Sequence, residues 1–279
     1  MRVLVTGGAG QLAHAIRQIW TGHELVIPDE SVLDLSRQDS IQRVVADIRP
    51  EVLLNCAAFT QVDRCESEAE LALLINGTAV GWLAEACEAE SARLIQISTD
   101  YVFDGTGTRP YREEDPTNPV SAYGRTKLEG ERQATRCSKH LIARTSWLYD
   151  AWGKNFLNTM LNAAAQGRSL RVVDDQWGAP TTCRTLARQL KMAAEQDWKG
   201  LVHMTCQGET TWHGFAQAIF EAKGMTVDLG PCGTADYPTP AKRPAYSVLS
   251  GERRRSLGPD LMPDWREALQ EVMDHPEPA

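Results

Sequence analysis

A chain of 279 residues, 42% of them apolar and 24% charged, is long enough for one large or two moderate domains with a sizeable buried core. Its formal net charge of −8 argues against nucleic acid or an anionic membrane as partner, because both are held through basic patches. The seven cysteines form no C-x-x-C pair, the six histidines show no metal-ligand spacing, and no apolar run approaches the ~18 residues of a membrane span. Met1 leads into "RVLVTGG" without a secretory signal pattern, so a cytoplasmic protein with reduced thiols is expected.

In chain order, "RVLVT" (2–6) reads as a buried strand, followed by glycines and the helix "QLAHAIRQIW". "ELVI" (24–27) is a second strand, "IQRVVADI" a helix closed by Pro50, and "EVLLN" (51–55) a third strand. The spacing over 68–90 predicts one long amphipathic helix, and "RLIQIS" (93–98) a fourth strand. Strands alternating with helices imply a parallel sheet covered on both faces, and right-handed crossovers make it doubly wound. Residues 99–120 form a long Gly-, Pro- and Asp-rich loop, a length that signals function or disorder. A helix bearing Tyr123 follows, then "HLIART" (140–145) as a further strand. Beyond it the elements shorten, tryptophan is frequent, and "YPTPAKRP" (237–244) is too proline-broken for a helix. The tail "HPEPA" is expected to fray.

"VLVTGGAGQLAHAI" sets Gly7, Gly10 and Ala13 between the first strand and its helix. Glycine allows the tight turn and the close approach of backbone to a pyrophosphate, whose charge the helix N-terminus favours. Ala13 is small enough for the helix to pack on the strand. The expected fold class is therefore α/β: a Rossmann-type doubly wound parallel sheet in a dinucleotide-binding domain, 1–146, to which later segments return. Residues 147–279 are expected to form mainly a smaller C-terminal substrate-binding lobe. Asp29 stands about 20 residues past Gly10, where an acidic side chain binds the adenosine ribose. Glu30 follows it, and no basic residue adjoins to hold a 2′-phosphate, although Arg37 could fold back. The lean is to NADH over NADPH.

Tyr123 and Lys127 lie four residues apart, on one face of a helix. An ammonium beside a phenol lowers the phenol's pKa, and a Tyr so tuned can protonate a forming alkoxide. "ISTDYVFDG" (97–105) follows the fourth strand, at the sheet edge where ligands bind, so Ser98 or Thr99 can supply a hydroxyl. Glycines, acid, hydroxyl and Tyr–Lys pair occur in the order of the short-chain dehydrogenase/reductase superfamily, which the chain resembles. The glycine spacing suggests its extended branch.

"NCAAFTQVDRCESE" (55–68), "STDYVFDG" (98–105), "YGRTKLEGE" (123–131), "RTSWLY" (144–149), "DDQWGAPT" (174–181), "TTWHGFA" (210–216) and "YPTPAKRP" narrow the resemblance to the dTDP-4-dehydrorhamnose reductase family, across nearly the whole chain. The resemblance implies that Gly10, Gln11 and Leu12 line the pyrophosphate, Asp29 binds the ribose, Asp34 and Leu35 flank the adenine, and Ala58, Phe59 and Thr60 contact the cofactor. It makes Tyr123 the proton donor, Lys127 the holder of Tyr123 and the nicotinamide ribose, and Thr99 the partner of the reacting carbonyl. Asp100 and Trp147 would meet the sugar, and Asn155 in "GKNF" and Arg243 the substrate's phosphates. Some members use a Glu early in the first helix and another after "GAPT" in a metal-linked dimer; Ala15 and Arg184 stand at those positions here. No metal is therefore expected, and a monomer or weak homodimer is. The family's common His is Phe59, with little expected effect on the chemistry. The activity implied is NAD(P)H-dependent reduction of dTDP-4-dehydro-6-deoxy-L-mannose to dTDP-L-rhamnose. The alternatives are a related nucleotide-sugar 4-keto reductase with another sugar or stereochemistry, and a non-catalytic protein like the regulatory subunit of methionine adenosyltransferase.

Overall fold

Strand β1 (Arg2–Thr6) is buried at every position after the first, and β3 (Val52–Asn55) and β4 (Arg93–Thr99) along their whole length. Such runs suit strands covered on both faces. With β2 (Glu24–Val26), β5 (His140–Thr145) and the strand Gly200–His203 they form a six-stranded parallel sheet. Its order is (Gly200–His203)–β5–β4–β3–β1–β2. The chain runs outward from β1 to β2 and then crosses back to β3, so the order reverses between β1 and β3. Ligands bind outside the carboxyl ends of strands at such a reversal. The computed structural model describes residues 1–275; residues 276–279 of the tail expected to fray lie outside the described residues.

One face of the sheet packs Ile16 of the first helix (Gln11–Ile19) and Trp20, which closes that helix, against Leu186 and Leu190 of the helix Cys183–Glu195. The Trp20 Nε1–H donates to the Ala187 carbonyl at 2.9 Å, joining the two helices. The other face packs Ile41, Val45, Leu83 and Cys87. Residues 183–203 thus belong to this sheet although they follow the first stretch of the second lobe. That lobe gathers Tyr149, Leu157, Phe215, Ile219, Trp265 and Leu269 around helices Phe156–Ala165, Trp212–Ala222 and Trp265–Asp274. The loop 99–120 is held by packing: Phe103 stacks on Tyr111 at 4.1 Å, and Glu113 accepts the His203 backbone N–H at 2.8 Å.

The helix expected over 68–90 is interrupted. It divides into Ala69–Leu73, a π-helical turn Leu74–Thr78, and Ala79–Ala89. The turn directs Asn76 at its neighbours. Its Oδ1 accepts from Phe59 N at 2.8 Å, and its Nδ2 donates to Phe59 O and to Thr126 Oγ1, both at 3.1 Å. A Cβ on Gly130 would stand 2.1 Å from the Asn76 carbonyl oxygen, so the Tyr123 helix (Ala122–Ala134) comes closer here than any other residue would permit. That helix begins where expected: the Ser121 hydroxyl caps it by accepting Gly124 N at 3.1 Å.

A Gly130→Ala variant is expected to be less stable by about 1–3 kcal/mol from overpacking, despite alanine's better helix propensity. Urea unfolding reads this as a lower midpoint; a raised midpoint would mean that the helix contact yields freely.

Candidate active site

The site begins with backbone. Gly7 has φ +70°, and a Cβ there would stand 2.7 Å from Ala57 N, so the turn after β1 rests directly on the loop after β3. Thr6 Oγ1 donates to Asn55 Oδ1 at 2.5 Å and accepts from Ala57 N at 3.2 Å, while Asn55 Nδ2 donates to Gln96 Oε1 at 2.7 Å. These bonds tie together the carboxyl-end halves of β1, β3 and β4. A Cβ on Gly10 would meet only the Gly7 carbonyl, at 3.2 Å, and otherwise open space. Backbone at the helix N-terminus is therefore accessible to an anion, and the residues fit a dinucleotide's pyrophosphate.

Above this loop lies a cleft of about 1530 Å³. It exceeds the ~300–1,000 Å³ of a pocket for one drug-sized ligand and has room for two. Gly7, Gly10, Gln11, Leu12, Asp29, Asp34, Leu35, Ala58, Phe59 and Thr60 line one end, and Thr99, Asp100, Tyr123, Lys127, Trp147 and Arg243 line the other. Asn155 is the exception among the residues singled out in the sequence. Its Oδ1 caps the helix Phe156–Ala165 by accepting Asn158 N at 3.0 Å, and its Nδ2 donates to Asp150 O at 2.8 Å. The side chain is spent on the turn beneath the cleft wall, and its neighbour Lys154 lines the cleft instead.

At the end lined by Asp29, the Asp29 Oδ1 accepts from Ser31 Oγ at 2.5 Å, Ser31 N at 3.0 Å and Val32 N at 3.2 Å, which holds the carboxyl below the usual carboxylate range. Asp34 makes the same turn with Ser36. The Asn76 clamp fixes Phe59 between them and the reacting end.

At that end Lys127 is 4% exposed and donates to the Ile97 carbonyl at 2.7 Å. Burial lowers its pKa to about 8, opposed by the Glu131 carboxylate. Tyr123 departs from the expectation of a lowered pKa. Burial, then the Asp100 carboxylate, push the phenol above its ordinary value, while a hydrogen bond with Thr99 pulls the other way. The ammonium of Lys127 is turned to Ile97 and does not offset them. Of the two candidate hydroxyls, Ser98 is committed to Glu131 at 2.5 Å, so Thr99 is the one beside Tyr123. Thr99 Oγ1 donates to Asp100 Oδ1 at 2.9 Å, and Ser247 Oγ donates to Asp100 Oδ2 at 2.6 Å. Burial raises the Asp100 pKa to about 6 against these two bonds.

The tryptophan-lined part of the cleft holds a feature that sequence spacing does not reveal. Trp147, at φ +47°, stacks on Trp212 at 3.6 Å, and both line the cleft. The motif "TTWHGFA" carried Trp212, but nothing in its spacing pointed to the stack. A Cβ on Gly178 would collide with the Trp147 ring at 2.4 Å. Arg243 faces the cleft but is already engaged: Asp63 accepts its two terminal nitrogens at 3.1 and 2.9 Å. At the two positions expected to lack metal ligands, Ala15 is packed in the core, and Arg184 pairs with Asp150 at 3.1 Å. Among the described residues no group of three or more His, Cys, Asp or Glu side chains is placed to hold a metal ion.

The sequence matches the family described as "RmlD substrate binding domain" over residues 1–277. This chain belongs to that family. A dTDP-4-dehydrorhamnose reductase of Burkholderia thailandensis is 41% identical across 96% of this chain and 97% of its own length. The crystal structure of a dTDP-4-dehydrorhamnose reductase from Clostridium acetobutylicum, 40% identical, covers 98% of this chain and 99% of its own, with a TM-score of 0.96. The Bacillus anthracis enzyme of the same name, solved in complex with NADP, is 34% identical over 98% of each chain, with a TM-score of 0.95. The sheet is accordingly of the Rossmann type expected from the sequence.

Two outcomes are expected. Asp100 holds Thr99 and Ser247 as an ionised acceptor, so kcat/KM should fall as pH drops through about 6, and Asp100→Asn should be slow and flat across that range. A pH–rate profile of the variant that keeps the bend would assign it elsewhere. EDTA should change neither activity nor the sedimentation profile, because an alanine and a paired arginine offer no oxygen ligand to a hard cation.

Proposed function

We propose that the protein reduces the C4 carbonyl of dTDP-4-dehydro-6-deoxy-L-mannose to dTDP-L-rhamnose with a reduced nicotinamide dinucleotide. The observation that carries this reading is the meeting of Thr99, Tyr123 and Lys127 at the carboxyl end of β4, in the same cleft as the glycine loop. Relatives bearing the reductase name over the whole chain support it. So does the presence of all three reactive groups, which favours an enzyme over the binding-protein alternative.

The bound dinucleotide supplies a hydride to C4. Tyr123 gives its hydroxyl proton to the oxygen that becomes the alcohol. Its raised pKa keeps that proton in place until negative charge develops on the substrate oxygen, a far stronger base than the carbonyl it replaces. Thr99 donates the second hydrogen bond to that oxygen once the substrate draws it from Asp100. Lys127, with a pKa near 8, remains largely cationic at neutral pH, and its Ile97 bond holds it in the cleft, where it would bind the nicotinamide ribose. Gly10, Gln11 and Leu12, which line the cleft, would hold the pyrophosphate, Asp29 the adenosine ribose, and Ala58, Phe59 and Thr60 the span between. Trp147 and Trp212 give the substrate an apolar wall, with Asp100 meeting the sugar. Arg243, held in position by Asp63, and Lys154 offer positive charge for the diphosphate. Asp29 and Glu30 suit the free 2′-hydroxyl of NADH. Free, largely buried cysteines fit a cytoplasmic setting, and among the described residues no helix is long and apolar enough to cross a membrane. In solution we propose a monomer or weak homodimer.

Incubation with reduced cofactor and the dTDP-linked 4-keto sugar, followed by NMR of the product, tests the reading. The free keto sugar should be reduced far more slowly, in kcat as well as in affinity, since the nucleotide's binding energy orients the reacting carbon. Equal turnover of free and linked sugar would contradict a nucleotide-sugar substrate. Tyr123→Phe should bind cofactor normally and lose about 10²–10⁴-fold in kcat; wild-type turnover in that variant would remove Tyr123 from its role.

A further inference from the structure

The proposed reductase needs a dinucleotide, and the two biological forms differ by a phosphate on the adenosine 2′-oxygen. The residues following β2 speak only for the form without it. The fold brings one more residue to this place. Arg17, on the first helix, lines the same cleft as Asp29 and Glu30. Its Nη1 donates to the Gly8 carbonyl at 2.8 Å. A Cβ built on Gly8 would stand 3.2 Å from Arg17 Nη2, 2.9 Å from Ile27 Cγ2 and 3.7 Å from the Pro28 carbonyl. The guanidinium therefore lies over residue 8, in the angle between the glycine loop and the end of β2. The absence of a side chain at Gly8 leaves it that room.

Two further observations bear on what it can do there. Arg17 is exposed and makes no ion pair among the described residues, its one hydrogen bond being that to the Gly8 carbonyl. The Asp29 carboxylate, by contrast, is turned into its own loop, with all of its side-chain hydrogen bonds accepted by Oδ1. Its second oxygen is left for a ribose hydroxyl, and an uncommitted guanidinium edge lies by Ile27 and Pro28, which lead into Asp29. A planar guanidinium matches phosphate oxygens in a paired, charge-assisted geometry that a ribose hydroxyl cannot use.

Resting on the dinucleotide reading above, we infer that Arg17 is a specificity-determining residue that receives the adenosine 2′-phosphate, so that the site takes NADPH as well as NADH. Asp29 and Glu30 oppose the phosphate by charge, and Arg17 offsets them. The chain should therefore use both cofactors, and removing the guanidinium should move the balance towards NADH.

The test compares adenosine 2′,5′-bisphosphate with adenosine 5′-monophosphate, which differ only in the 2′-phosphate, by calorimetric titration of wild type, Arg17→Gln and Arg17→Lys. In Arg17→Gln the ratio of the two dissociation constants should shift against the bisphosphate by about 10- to 100-fold, the range of a charge-assisted hydrogen-bonded contact. Arg17→Lys, which keeps the charge and loses the fork, should fall between. The NADPH-to-NADH ratio of kcat/KM should move the same way, and added salt should narrow the wild-type difference. A ratio unchanged within about twofold in Arg17→Gln, or a wild type that takes the monophosphate and refuses the bisphosphate, would overturn the role of Arg17 while leaving the reductase reading intact. A wild type that binds neither nucleotide, NADH nor NADPH would overturn the dinucleotide reading itself, and this inference with it.

Discussion

The close approach of the Tyr123 helix to the rest of the first lobe is the constraint on which the site depends. Two glycines on that helix touch backbone. A Cβ on Gly124 would lie 2.2 Å from the Tyr101 carbonyl oxygen, and one on Gly130 would lie 2.1 Å from that of Asn76. Only with both side chains absent can the helix lie so near the short turn that follows β4. That nearness sets Tyr123 beside Thr99 and carries the Lys127 ammonium to the Ile97 carbonyl. The π-helical turn is the matching half of the contact. It sends Asn76 across to grip both backbone groups of Phe59 and the Thr126 hydroxyl. One packing contact thus positions the Tyr123 end of the cleft and the loop after β3.

Burial of charge is the cost of this arrangement, and hydrogen bonds offset it. An unpaired ammonium in the interior is strongly unfavourable. Lys127 has the Ile97 carbonyl, and on the next turn of the same helix Glu131 accepts from Ser98 and from both ends of the Arg144 guanidinium, at 2.8 and 2.7 Å. The network anchors the helix to β4 and β5 and keeps a carboxylate near the lysine. At the substrate end a left-handed Trp147 is held by its stack on Trp212 and by the empty Cβ position of Gly178. Strain of this kind persists where surroundings over-determine a residue, as functional clefts do.

The two lobes are joined by ion pairs as well as by chain. Asp63, on the loop after β3, holds Arg243 and accepts from Ala241 N at 3.1 Å, so the second lobe is tied to the cofactor loop at the cleft mouth. Arg184 and Asp150 form a second pair, both largely buried, behind the turn that carries Trp152 and Lys154. Ala15 of the first helix lies in the same core cluster as Leu186 and Leu190 of the helix carrying Arg184. The Arg184–Asp150 pair is closed within one chain.

Much of the fold was legible in order and spacing. Apolar runs alternating with 3.6-residue patterns gave the parallel sheet, the glycines after β1 marked the turn, and four-residue spacing put Tyr123 and Lys127 on one face, because these depend on neighbours along the chain. What spacing could not show depends on residues distant in sequence. The π turn leaves the apolar pattern of 68–90 intact, and the contact it makes is with Gly130 on another helix. Asn155 has the composition of a phosphate ligand, and only its local turn shows that both ends of its amide are used. Tyr123 and Lys127 are the expected pair, but burial and a carbonyl from β4 reverse the expected direction of the Tyr123 pKa. Trp212 becomes part of the cleft because the second lobe lays it on Trp147. Arg17 reaches over the glycine loop into the cleft because Gly8, on a different turn of chain, leaves its space empty. The sequence by itself determined which groups the protein possesses and the local element each occupies; the tertiary structure alone decided which of them face the cleft and with what charge, since desolvation and contact belong to the packed chain.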